Sequence, residues 1–254
     1  MAQQPLNIGS YSVYLEQTTS SNDELKLLVN NSQVPEGAIV YTQFQTKGRG
    51  QLQNTWESEF GLNLLISIYL KPQFLLAEDQ IWLNLACSLA LRETAEVLSN
   101  EAVYIKWPND IFIQRQKIGG ILIENILQGN RIRMSIVGMG LNLNQELFSS
   151  PNAASIFNFT NHRADPNQAR TLLCEKLNHF YALLMGNKRA LLWDLYHTHL
   201  FAKGQLALFE KEGAFIKGEI LGIDKKGKLH IMHDDEIKSY ANKEIAFIRI
   251  INEH

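Results

Sequence analysis

Lys106-Trp107-Pro108-Asn109-Asp110, followed shortly by Lys117-Ile118-Gly119-Gly120-Ile121-Leu122-Ile123-Glu124, is the stretch on which the reading of this chain turns. Apolar, β-like runs flank a stiff Trp-Pro turn, so the segment reads as strand, turn, strand. Two lysines and a carboxylate break into these runs. A glycine pair lies inside one of them, where glycine weakens a sheet unless something must approach the backbone. The combination points to an anionic ligand meeting the sheet. The plainer reading, a surface hairpin with a weak Lys/Asp ion pair, leaves the glycines unexplained.

The β pattern continues on both sides. Residues 103–106, 111–114, 117–127 and 131–144 are β-like and are separated by short turns, which join antiparallel neighbours. Upstream, 38–44 and 62–70 enclose a polar, glycine-bearing loop over 46–61. Ser21-Asn22-Asp23-Glu24 fits a capping box and predicts a helix starting near Ser21. Apolar residues at helical spacing from Ile81 to Val97 predict a helix over 78–98 that packs on the sheet. Asp165 followed by Pro166 marks a further helix running to Met185, and another covers 188–200. Beyond it, 205–209, 215–223, 228–232 and 245–250 are short β-like runs with glycine-bearing turns, the text of a small all-β barrel. This puts a domain boundary near Lys203, between 1–202 and 203–254.

Charge and composition exclude several classes. The chain of 254 residues has a formal net charge of -2, and 203–254 carries nine Lys/Arg against nine Asp/Glu, so neither part has the basic excess of a DNA or RNA binder. Cys87 and Cys174 sit in apolar helical patterns and read as reduced core thiols, which suits the cytoplasm. No apolar run reaches the roughly 18 residues of a membrane helix, and the N-terminus lacks a signal-peptide pattern. No repeat or heptad series is present. His197 and His199 fall two apart on a helix and so point to different faces, and no cluster of protein ligands for a metal is expected. With no nucleophile set of the Ser/His/Asp or Cys/His kind, the expected chemistry works through positioning and charge.

Three further segments can carry that chemistry. In Lys47-Gly48-Arg49-Gly50-Gln51 the glycines let backbone approach a ligand while the guanidinium reaches a phosphate or carboxylate; the same text also suits an ordinary turn. It is not a Walker-type loop. Trp56 can cover a flat apolar ligand or sit in the core. Val137-Gly138-Met139-Gly140-Leu141-Asn142 repeats the strand glycines, and Asn142 offers the donor and acceptor that an adenine edge requires.

Taken in order, Thr19 to Asn22, Gln45 to Gln51, Trp56, Lys106 to Asp110, Lys117 to Glu124 and Gly138 to Asn142 closely resemble the biotin protein ligases. The resemblance covers nearly the whole chain. It implies an α+β fold, a mostly antiparallel sheet backed by helices and related to the class II aminoacyl-tRNA synthetase core, with a small C-terminal SH3-like β-barrel. It implies ATP-dependent activation of biotin to biotinyl-5′-AMP and transfer to a lysine of a biotin carboxyl carrier protein. ATP and biotin are then substrates, with Mg²⁺ carried on the ATP, and a homodimer is compatible with the family.

Roles follow from the same resemblance. Ser20, Ser21, Asn22 and Gln45 match residues around the ureido ring of biotin, with Gly50, Gln51 and Trp56 beside them. Arg49 matches the arginine that meets the biotin carboxylate and the α-phosphate, and Lys117 the lysine at the carboxylate and acyl-adenylate. Lys106 and Asp110 match a strand-end pair near the phosphates, with Asn109 between them, and Asn142 a position near the adenine. Gly119, Gly120, Gly138 and Gly140 make room for the ligand. Asp110 is the carboxylate expected to orient or deprotonate the acceptor amine.

Two departures stand out. Gln51 stands where many members have a second arginine, which predicts looser retention of the adenylate. The motif begins at Thr19, leaving no room before it for the helix-turn-helix of repressor-type members, so DNA binding is not expected. Segments 48–55 and 145–153 are the candidates for loops that order over the ligand. A lipoate or other acyl-protein ligase on the same fold is the nearest rival, although its Arg-Arg-x-Ser-Gly-Gly-Gly-type loop is missing. A non-enzymatic nucleotide- or RNA-binding module is the other.

Overall fold

The computed structural model describes residues 6–51 and 54–251. Leu52 and Gln53, inside the 48–55 segment, lie outside the described residues. Up to Thr198 the elements are β1 (Ser12–Thr18), α1 (Ser21–Asn31), β2 (Ile39–Gln45), β3 (Asn63–Leu70), α2 (Gln80–Ser99), β4 (Val103–Lys106), β5 (Asp110–Ile113), β6 (Gln116–Gln128), β7 (Arg131–Asn142), α3 (Ile156–Thr160), α4 (Pro166–Met185) and α5 (Arg189–Thr198). The strands form one sheet in the order β1-β2-β3-β7-β6-β5-β4.

Period-2 alternation sends the two faces of this sheet to different tasks. From β3, Leu64, Ile66, Ile68 and Leu70 enter the main core beneath α2, while Tyr69 joins a second cluster with Leu25 of α1, Val40 and Ile136. Helix α2 is buried almost all round, as a helix between a sheet and a further helix layer must be, and α4 and α5 pack against it. Helix α4 starts as its sequence requires: the Asp165 side chain accepts from Asn167 N at 2.9 Å and Pro166 takes the first helical position.

Helix α1 starts at Ser21 as expected, but without the expected capping box. Ser20 is the cap residue but makes no side-chain cap bond, and Glu24 accepts from Thr18 Oγ1 at 2.8 Å. The Ser21–Glu24 capping box is not formed: Ser20 takes the cap position, Ser21 is the first helical residue, and its hydroxyl is committed to the cleft described below. Strand β1 was also not anticipated. It pairs parallel to β2 through the α1 crossover, so one pair in the sheet is not antiparallel.

The remaining strands, β8 (Leu206–Lys211), β9 (Ala214–Ile223), β10 (Leu229–His233), β11 (Glu236–Tyr240) and β12 (Ala246–Ile250), form a second antiparallel sheet ordered β11-β10-β9-β8-β12. Of these, β11 had no expectation in the sequence. The main core does not stop at this sheet: Phe201, Phe209, Ile220, Ile231 and Tyr240 continue it. Among the described residues, no helix is long and apolar enough to cross a membrane.

Candidate active site

A cleft of about 230 Å³ opens on the α1 side of the large sheet, where β6 and β7 present glycine instead of side chains. Gly120 pairs with Gly140, and Gly138 faces Ser67 on β3. A Cβ on Gly138 would lie 2.5 Å from Asn22 Oδ1, and one on Gly140 2.5 Å from Trp56 Cε2. The expected gap therefore exists, and Asn22 and the Trp56 indole reach into it. Gly119 serves packing instead: its open side faces Ile111 and Leu141, 3.3 Å from each, away from the cleft.

The floor of the cleft is a closed polar network. Ser21 donates to Gln45 Oε1 from its backbone N at 2.8 Å and from Oγ at 3.1 Å. Ser67 Oγ lies 2.6 Å from Asn22 Oδ1 and 2.7 Å from Ser21 Oγ, and Asn22 Nδ2 donates to Glu124 Oε2 at 2.8 Å. Ser20, Ser21, Asn22 and Ser67 are all buried. Such a neutral, mutually oriented set suits a neutral polar ring with both donors and acceptors. Trp56 supplies an apolar cover. Its indole Nε1 is buried with no hydrogen-bond partner among the described residues.

The rim is charged. Arg49 Nη2 sits 2.6 Å from Asp23 Oδ1 and 3.2 Å from Glu124 Oε2. Lys117 Nζ lies 2.7 Å from Asp110 Oδ1 and 5.6 Å from the centre of the Trp56 ring. Strand pairing brings these groups together: β5 starts at Asp110 itself, opposite both Lys106 and Gly120. The turn between β4 and β5 has a cis Trp107–Pro108 bond. It is braced from two sides, by Asn84 Nδ2 donating to Pro108 O at 2.9 Å and Trp107 Nε1 donating to Gly227 O at 2.8 Å.

The remaining candidates stand back from the cleft or brace it. Lys106 Nζ lies over the rings of Phe112 and Phe247, at 4.9 and 5.2 Å, and does not line the cleft. Burial holds its ammonium below the usual lysine range, with Asp110 opposing that shift and Lys117 adding to it. Asn109 lines the cleft, but its Nδ2 donates to Ile121 O at 2.6 Å and so ties the turn to β6. Asn142 is buried behind the cleft, Nδ2 donating to Ala154 O at 2.9 Å and Oδ1 without a partner among the described residues. Gly50 and Gln51 line the rim, and Gln51 Oε1 accepts from Asn242 Nδ2 at 2.9 Å.

Sequence reasoning missed several contributors, among them Asp23, which was read only as part of a capping box. Ser67 had a signal, a lone hydroxyl in the otherwise apolar 62–70 run, and Glu124 had another, a carboxylate inside an apolar strand. Asn242 and Lys243, which also line the cleft, had none, since only the fold brings them to it.

Residues 14–142 match the model of the biotin/lipoate A/B protein ligase family. The chain is 30% identical over 246 residues to the bifunctional ligase/repressor BirA of Bacillus subtilis, which covers 94% of this chain and 74% of that protein. It is 29% identical over 229 residues to the biotin–(acetyl-CoA-carboxylase) ligase of Paracoccus denitrificans, covering 85% of this chain and 91% of that one. Among solved structures, biotin protein ligase from Aquifex aeolicus in complex with biotin and ATP superposes with a TM-score of 0.79 at 24% identity, over 94% of this chain and 99% of that one, a likeness of fold. The sheet with its glycine-faced cleft, the family match over half of the chain and the relatives that span most of it lead to one assignment: the chain belongs to the biotin/lipoate A/B protein ligase family and, within it, to the biotin protein ligases.

Proposed function

We propose that this chain activates biotin with ATP and transfers the biotinyl group to a lysine of a biotin carboxyl carrier protein. In the first step a biotin carboxylate oxygen attacks the α-phosphorus, the bond from that phosphorus to the pyrophosphate oxygen breaks, and biotinyl-5′-AMP and pyrophosphate form. In the second, the lysine amine attacks the acyl carbon and AMP leaves. The observation that carries this reading is the union, in one cleft, of a neutral hydrogen-bonded floor with a cationic rim. The floor suits the uncharged ureido ring, and the rim suits the two anions that must meet.

Ser21, Asn22 and Gln45 orient the ring, and Trp56 covers it. Arg49 and Lys117 offset the repulsion between carboxylate and α-phosphate and stabilise charge that builds in the transition state. Both cations rest on carboxylates, so binding exchanges Asp23, Glu124 and Asp110 for the ligand's oxygens. Once Lys117 turns to the acyl carboxylate, Asp110 is free to accept a proton from the acceptor amine. Lys106 supplies positive potential from behind the turn. Mg²⁺ would enter with the nucleotide.

At about 230 Å³ the cleft is smaller than the roughly 300–1,000 Å³ usual for small-molecule sites, so the side chains of Arg49 and Trp56 must shift to admit both substrates. We read 1–202 as the catalytic domain and 203–254 as a C-terminal β domain, a reading supported by the separate second sheet starting at Leu206. The two buried free thiols, Cys87 and Cys174, support a cytoplasmic setting.

The test is pyrophosphate release by the purified chain with ATP, Mg²⁺ and either biotin or lipoate, followed by addition of a carrier domain. Biotin-dependent release and a carrier mass increased by one biotinyl group are expected. Release with lipoate alone would move the assignment to the other branch of the family.

A further inference from the structure

The small sheet reaches the cleft through one turn. Between β11 and β12, Glu244 N donates to Ala241 O at 3.1 Å, and Ala241 N donates to Glu244 Oε2 at 2.7 Å. Inside this four-residue turn Lys243 has φ +72°. A turn with positive φ at its third residue most readily takes glycine there, and a lysine is strained. Strain held at a ligand cleft points to a use for the side chain.

Three observations give that use a direction. Asn242 and Lys243 line the same cleft as Gln51, Asp110 and Lys117. The Asn242 side chain holds the turn to the Arg49 loop through its 2.9 Å bond to Gln51 Oε1. The cleft's two other cations are engaged, Arg49 by Asp23 and Glu124 and Lys117 by Asp110, whereas the Lys243 ammonium makes no hydrogen bond or ion pair among the described residues. An exposed, unpaired cation facing a cleft for a polyanion is a phosphate ligand in waiting.

We propose that Lys243 is a phosphate-binding residue of this site. The C-terminal sheet carries it across the cleft, the Asn242–Gln51 bond seats it, and it supplies from the far side the charge that Gln51 does not. The inference rests on the ligase reading and adds a residue from outside the motif-bearing segments.

The test compares Lys243→Gly and Lys243→Arg with the unsubstituted chain in biotin-dependent ATP–pyrophosphate exchange. Glycine relaxes the turn, so its Tm should equal or exceed that of the parent, which separates lost charge from lost fold. We expect Lys243→Gly to raise KM for ATP about tenfold, with KM for biotin within about twofold, and Lys243→Arg to restore most of the affinity. Salt should weaken ATP binding less in the glycine variant. An unchanged KM for ATP, or equal rises in both KM values with a lowered Tm, would overturn the proposal while leaving the ligase reading intact. No exchange by the parent chain would instead overturn the ligase reading.

Discussion

On the floor of the cleft, Ser21, Asn22, Gln45 and Ser67 hold one another through contacts of 2.6–3.1 Å and are buried or half-buried. At the rim, Arg49 and Lys117 are held by carboxylates, and the Arg49 side chain is 42% exposed. The floor is preorganised: its groups already point where a neutral ring needs them, and ordering them costs little on binding. The rim is provisional. Its cations must trade one anion for another, which suits a site whose anionic contents change from carboxylate plus triphosphate to mixed anhydride to AMP.

Substitutions can break or sharpen this contrast. The largest effect is expected at the rim with Lys117→Met, which should cut biotinyl-adenylate formation about 100- to 1,000-fold in pyrophosphate exchange. Its melting temperature should barely move, because a partly exposed ion pair contributes about 1 kcal/mol at most. A fall in both would make Lys117 a structural residue. Next, Asp110→Asn should slow transfer from preformed biotinyl-adenylate about 100-fold while leaving adenylate formation much less affected. Unchanged transfer in single-turnover assays would remove Asp110 from the second step.

The floor should respond in the opposite manner. Gly138→Ala places a methyl carbon 2.5 Å from Asn22 Oδ1, so stability should fall by about 1–3 kcal/mol together with biotin affinity. Thermal unfolding and KM for biotin, measured on one preparation, report the pair. If only KM moved, the floor would be adaptable and the contrast false. The smallest effect is expected from Gln51→Arg, which adds a cation to the rim at the cost of the Asn242 bond and should slow adenylate release about three- to tenfold. A dissociation assay with labelled biotinyl-adenylate gives the answer.

Much of the site was legible in the sequence because charged residues and glycines interrupt short β-like runs and the turns beside them, where local text fixes geometry. Arg49, Asp110 and Lys117 converge as their motifs imply. Asp165 with Pro166 marked the start of α4 correctly. Less visible was anything set by packing across elements. Strand β1, half-exposed and polar at the sheet edge, has a weak apolar alternation, and its parallel pairing depends on the α1 crossover. Ser21 looked like a capping residue because nothing local reveals that Gln45 and Ser67 compete for its hydroxyl. Nor does spacing show that Trp56 and Asn22 would reach the strand glycines, or that Lys106 would turn under the sheet toward Phe112 and Phe247.

The bond from Trp107 Nε1 to Gly227 O has a mechanical side. It joins the turn that leads to Asp110 to the turn between β9 and β10, so one of the places where the two sheets meet lies beside Asp110. A force or a binding partner applied to the small sheet would be delivered to the β4–β5 hairpin over a few ångströms of stiff Trp-Pro backbone. The C-terminal strands are thereby tied directly to the hairpin that carries Asp110.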